Sequence, residues 1–73
     1  MTNHEAIINT TQAAFTVDEF CTRNRISRVH LYEQWKQGAG PARMQIGRSV
    51  RVSAEAEREW HRRLEAETAK AAA

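Results

Sequence analysis

The chain has 73 residues, 41% of them hydrophobic, and a formal net charge of +2. That length supports one small domain whose apolar residues are needed for its core, which leaves little for a deep catalytic pocket, and the hydrophobic content is too high for a disordered chain of so little charge. No apolar run approaches the ~18 residues of a membrane span, so no membrane partner is expected.

Residues 1–14 are polar apart from Ile7 and Ile8 and read as a flexible N-terminal tail, with that isoleucine pair able to pack on the domain or on a partner. The segment lacks the basic start and apolar centre of a signal peptide. The single cysteine, Cys21, has no internal partner for a disulfide. Both features lead to the expectation of a cytoplasmic protein.

A first helix is expected from Thr16, because Thr16-Val17-Asp18-Glu19 is a capping box and Phe15 stands where a hydrophobic staple begins. Val17, Phe20 and Cys21 form its apolar stripe, and Asn24-Arg25 its exit. After Ile26 turns back to the core, Ser27 caps a second helix that runs to Gly38, a C′ residue. Leu31 and Trp35 face inward, with Val29 or Gln34 at the margin. Arg28, His30, Tyr32, Glu33 and Lys36 are left for other faces.

The run from Gly38 to Pro41 starts a loop, and two alternating segments follow, Arg43 to Ile46 and Val50 to Val52. A three-residue tip, Gly47-Arg48-Ser49, pairs Ile46 with Val50 and Met44 with Val52, which puts four apolar side chains on one face and Arg43 and Arg51 on the other. Such a tip prefers glycine at its last position, where this chain has Ser49. A third helix starts at the cap Ser53 and buries Ala56, Trp60 and Leu64. Glu55, Glu57 and Glu59 read as a solvated face, and Glu59 pairs with Arg63.

The expected fold is therefore mostly α with a small β-hairpin, a helix-turn-helix followed by a two-stranded wing and a C-terminal helix. The domain spans residues 15–66, with 67–73 a fraying tail, and its core is Phe20, Leu31, Trp35, Ile46, Val50, Trp60 and Leu64. Charge is concentrated in the middle. From Phe15 to Ser53 seven basic residues stand against three acidic ones, a net +4, which suits a nucleic-acid-facing surface.

The segment from Phe15 to Leu64 resembles the small winged helix-turn-helix proteins of the excisionase and AlpA type, related to the DNA-binding domain of MerR regulators. The resemblance rests on four motifs in order. They are the capped first helix from Phe15 to Phe20, the run from Ile26 to Tyr32 opening the recognition helix, the turn Gly38-Ala39-Gly40-Pro41, and the wing from Ile46 to Val52. The helix from Ser53 to Trp60, with its alanine and tryptophan, closes the pattern. The chain departs from it at His30, where Thr or Ser is commoner, and by one extra residue at Asn24-Arg25.

The resemblance implies that the second helix enters the major groove of double-stranded DNA, with Ser27, Arg28, His30 and Tyr32 as its contact residues. Arg28 is suited to bidentate reading of guanine. Arg48 at the wing tip is suited to the minor groove, and Arg25, Arg43 and Arg51 to phosphates, with Lys36 contributing to DNA binding through long-range electrostatics. The implied role is an excisionase, which binds and bends DNA beside an attachment site and biases a site-specific recombinase (an integrase), with cooperative self-association on DNA. The alternatives are an AlpA-like transcriptional regulator and a protein-interaction module of a phage or plasmid complex.

Catalysis is not expected. Cys21 lies on an apolar stripe, and His4, His30 and His61 have no zinc-site spacing to it or to one another. The glycines Gly38 and Gly40 follow a helix rather than a strand, so they form no phosphate loop. No metal and no cofactor is implied.

Overall fold

In the computed structural model, which describes residues 14–72, the chain forms three helices and a three-stranded antiparallel sheet. In order these are β1 (Ala14–Thr16), α1 (Val17–Asn24), α2 (Arg28–Lys36), β2 (Met44–Ile46), β3 (Ser49–Ser53) and α3 (Ala54–Ala72). The sheet order is β1-β3-β2. The expected flexible tail lies outside the described residues, except that Ala14 belongs to β1. No helix among the described residues is long and apolar enough to cross a membrane.

The helix starts follow from local chemistry. Thr16 Oγ1 accepts from the Glu19 amide at 3.0 Å, and the Glu19 carboxylate accepts from the Thr16 amide at 3.0 Å, closing the capping box. Ser27 accepts from the His30 amide and Ser53 from the Ala56 amide, each at 3.0 Å.

The ends of α1 and α2 share one backbone solution. After α1 the amide of Ile26 donates to Cys21 and that of Arg25 to Thr22; after α2 Ala39 donates to Gln34 and Gly38 to Trp35. These are Schellman pairs, which need a left-handed residue in the turn. Gly38 supplies it at φ 75°, and Arg25 supplies it at φ 55° although it is not glycine.

The third strand was not expected. Phe15 lies opposite Val52 in the β1–β3 pairing, and both are buried, so the residue before the Thr16 cap is also a strand residue of the core. Three residues are too few for alternation to be visible in sequence. The hairpin register also differs from expectation. Met44 pairs with Arg51, Gln45 with Val50 and Ile46 with Ser49, so the tip is the two residues Gly47-Arg48. Gly47 has φ 62° at the first tip position, as a type II′ turn requires. A three-residue tip needs its left-handed residue at Ser49; turn chemistry here outweighs burial of the apolar set.

The consequence is a sheet with two unlike faces. Phe15, Val50 and Val52 face the core, while Met44, Ile46 and Arg51 share the outer face. Ile46 is 56% exposed and so is not a core residue, because β2 is an edge strand lying beyond the helices. The core consists of Phe15, Val17, Phe20, Cys21, Leu31, Val52 and Trp60, with Ile26, Trp35, Val50, Ala54 and Ala56 partly buried against it. Expected core residues Trp35 and Val50 are thus at its margin, and Leu64 is exposed at 37%, one turn beyond the last packed residue of α3. The α3 helix itself continues to Ala72, past the expected domain end at 66.

Candidate functional site

A groove of about 260 Å³ opens between the start of α2 and the β2–β3 hairpin. Its cationic walls are Arg28 from α2 and Arg48 and Arg51 from the hairpin, and hydroxyls come from Thr16, Tyr32 and Ser49. Three elements hold these groups. The Ser27 cap sets the direction of α2, the pairing of Thr16 with Arg51 brings β1 to the groove, and the two-residue tip presents Arg48. A concave surface with three guanidinium groups and several hydroxyl donors is suited to phosphate oxygens or base edges.

Arg28 is ion-paired with Asp18 at 2.9 Å, with both side chains largely exposed. Such a pair is worth about 0–1 kcal/mol, so a polyanion competes for Arg28 readily. Tyr32 rests edge-on against Trp35, ring centroids 5.4 Å apart, and stays 46% exposed. That contact buries part of the ring while leaving the side chain on the groove wall.

Ser27, Arg25, His30, Lys36 and Arg43, also expected in the site, do not line the groove. His30 is exposed but stands two residues from both Arg28 and Tyr32, about 200° around the helix, and does not line the groove. Lys36 is exposed in the last turn of α2. Arg43 lies over the Trp35 ring at 4.7 Å, a cation–π contact that covers the indole. Arg51 shares its face with Met44 and Ile46, not the opposite face as the three-residue tip required. Arg25 is exposed, and its backbone makes the turn after α1. Thr16 and Ser49, read in sequence only as a cap and a tip residue, also line the groove, since their approach to Arg28 depends on non-local strand pairing.

Arg23, although half exposed, is tied to α3 and to the edge of the core. Its guanidinium donates twice to Glu57, at 2.9 and 3.1 Å, and lies over the Phe15 ring at 4.2 Å. Asn24 donates to Glu57 and to the Phe20 carbonyl, each at 2.9 Å, and its Oδ1 lies 2.7 Å from His61 Nε2. Glu57 is therefore a buried acid in a network, not part of a solvated face. The Arg23 hydrogen bonds hold its carboxyl below the usual carboxylate range against the opposing effect of burial, with Asn24 adding to the depression. The expected Glu59–Arg63 pair is also absent among the described residues. Glu59 pairs with Arg62, and Arg63 donates to the Ala39 and Gly40 carbonyls.

Cys21 is buried, and burial, with Asp18 adding to it, pushes its thiol up from the ordinary value. It thus stays protonated and packs as a small apolar group. Among the described residues no cluster of three or more His, Cys, Asp or Glu side chains has the arrangement to hold a metal ion. Comparison with protein-family models, with curated proteins and with solved structures finds no match to this chain.

Proposed function

We propose that this chain is a sequence-specific double-stranded DNA-binding protein, with α1 and α2 acting as a helix-turn-helix and the β2–β3 hairpin as its wing. The observation that carries the reading is the groove in which Arg28, Arg48 and Arg51 converge beside Thr16, Tyr32 and Ser49. It is supported by the net +4 of the segment that builds it. Arg28 reads guanine from the major groove, Arg48 reaches from the hairpin tip to the minor groove and its flanking phosphates, and Arg51 holds the backbone. In the role we favour, that of an excisionase in the cytoplasm, the protein bends DNA beside an attachment site and biases an integrase toward excision. The same interface placed on a promoter would serve a transcriptional regulator.

A second reading has its own observation. Met44 and Ile46 are exposed together on the outer face of the edge strand β2, which is the kind of surface a protein-interaction module presents.

The test is titration of the purified protein against random-sequence duplex at low and moderate salt. Binding that falls steeply with salt is expected, with Arg48→Ala and Arg51→Ala each reducing the log–log slope by ~0.9 for every phosphate no longer neutralised. Arg28→Ala is expected to weaken a selected site more than random duplex. No binding at low salt rejects the DNA reading and turns attention to the Met44–Ile46 face.

A further inference from the structure

The outermost line of α2 has no structural task. Leu31 is fully buried and Trp35 packs at the core margin, so the opposite side of the helix, at about 100° per residue, carries Val29, Glu33 and Lys36. All three are exposed, Val29 at 72%. An apolar, β-branched side chain gains nothing from water there and has no helix-propensity advantage. Glu33 is an acid on a helix whose neighbouring wall is built of guanidinium groups. Along a phosphate backbone it would be repelled.

Both side chains find partners if this line faces the floor of the major groove. The thymine 5-methyl is the apolar group displayed there. A carboxylate can only accept, and the amino donor of cytosine stands without the neighbouring N7 acceptor that adenine carries. Resting on the DNA-binding reading above, we propose that Val29 and Glu33 are specificity-determining residues, Val29 for the methyl group of a thymine and Glu33 for the amino group of a cytosine. Their Cβ atoms, four residues apart on a helix, are separated by about 6 Å, so the two bases lie one or two steps apart at a rise of about 3.4 Å. This assignment moves base reading from His30, on the flank of α2, to the line between the basic groove and that flank.

The experiment is selection from a randomised duplex library by the wild-type chain, Val29→Ala and Glu33→Gln, followed by affinity measurement on the selected sites. Both side chains are exposed, and unchanged thermal melting of the variants checks their fold. The wild type is expected to enrich a cytosine and a thymine one or two steps apart. Glu33→Gln should change the preferred base from cytosine to adenine, by about tenfold, because glutamine can donate to N7 while accepting from the amino group. Replacing that thymine by deoxyuracil should weaken the wild type by about fourfold, the worth of one methyl group, and leave Val29→Ala unaffected. If all three proteins enrich the same site with equal affinity and deoxyuracil is tolerated, the base assignment is overturned while the DNA interface stands. If the wild type binds no duplex at low salt, the interface reading falls and the assignment with it.

Discussion

At the scale of single residues, the group with most at stake is Glu57. Its carboxylate is 7% exposed and gathers Arg23 and Asn24, so removing it strands two donors and opens a space against α1. Because Arg23 is itself half exposed, the cost is below that of a fully buried pair. Glu57→Ala is expected to lower unfolding free energy by about 2–3 kcal/mol, measured by denaturant melting. The pH dependence follows from the depressed carboxyl. A folded value below the unfolded one gives stability that is complete above the ordinary value near 4.5 and lost as pH falls through the folded value. The acid limb of the melting-temperature profile below about pH 4.5 should therefore flatten in Glu57→Gln. An unchanged limb would mean that another carboxylate governs acid unfolding.

At the scale of elements, the two helix ends make opposite predictions. Arg25 occupies a left-handed position that disfavours a side chain, so Arg25→Gly should raise stability by about 0.5–1 kcal/mol despite the added freedom of the unfolded chain. Equilibrium unfolding that shows a loss would indicate that the Arg25 side chain contributes more than its backbone conformation costs. Gly40 acts by close approach. A Cβ there would stand 2.6 Å from Trp35 Cδ1 and 2.9 Å from Trp35 Nε1, the nitrogen that donates to the Pro41 carbonyl at 2.7 Å. Gly40→Ala should thus cost about 1–3 kcal/mol and expose Trp35, readable as a red-shifted fluorescence component in the folded state. Trp35, Pro41 and the Arg43 cover join α2 to the hairpin, so the same substitution should weaken any ligand of the groove between them.

At the scale of the whole molecule, stability is concentrated at one end of α3. Trp60 packs on Phe20 with ring centroids 5.3 Å apart, and its Nε1 is buried without a hydrogen-bond partner among the described residues, a cost that the packing must offset. Residues 65–72 are helical and exposed throughout. Ending the chain after Glu65 should therefore shift the melting midpoint by no more than a few degrees in calorimetry. A large drop would show that the exposed turns pack on something in the folded protein. The electrostatic layout is also a whole-molecule property. The basic groove is formed by α2 and the hairpin, whereas the segment from Ala54 onward has four basic and five acidic residues and carries no excess of positive charge.

The sequence by itself determined what depends on neighbours within one helical turn. The caps Thr16, Ser27 and Ser53 were legible because a side-chain oxygen and an amide three residues on define them. The stop at Gly38 was legible because glycine announces a left-handed turn; the exit at Asn24-Arg25 was legible too, but not that Arg25 itself takes the left-handed conformation, because arginine announces none. The apolar stripes placed Phe20, Leu31 and Trp60 in the core, and the family resemblance pointed to Arg28, Arg48 and Arg51, which line one groove. Tertiary structure alone decided the rest, wherever the decisive partner is distant in sequence. β1 exists because Phe15 meets Val52, and Glu57 is buried because Arg23, 34 residues earlier, comes to it. The hairpin register was decided by a turn that accepts positive φ at Gly47 rather than Ser49, which sent Met44, Ile46 and Arg51 to one outer face. Local chemistry names the elements and their ends, but pairing and register are settled by competition among non-local contacts, and the groove is a product of that competition.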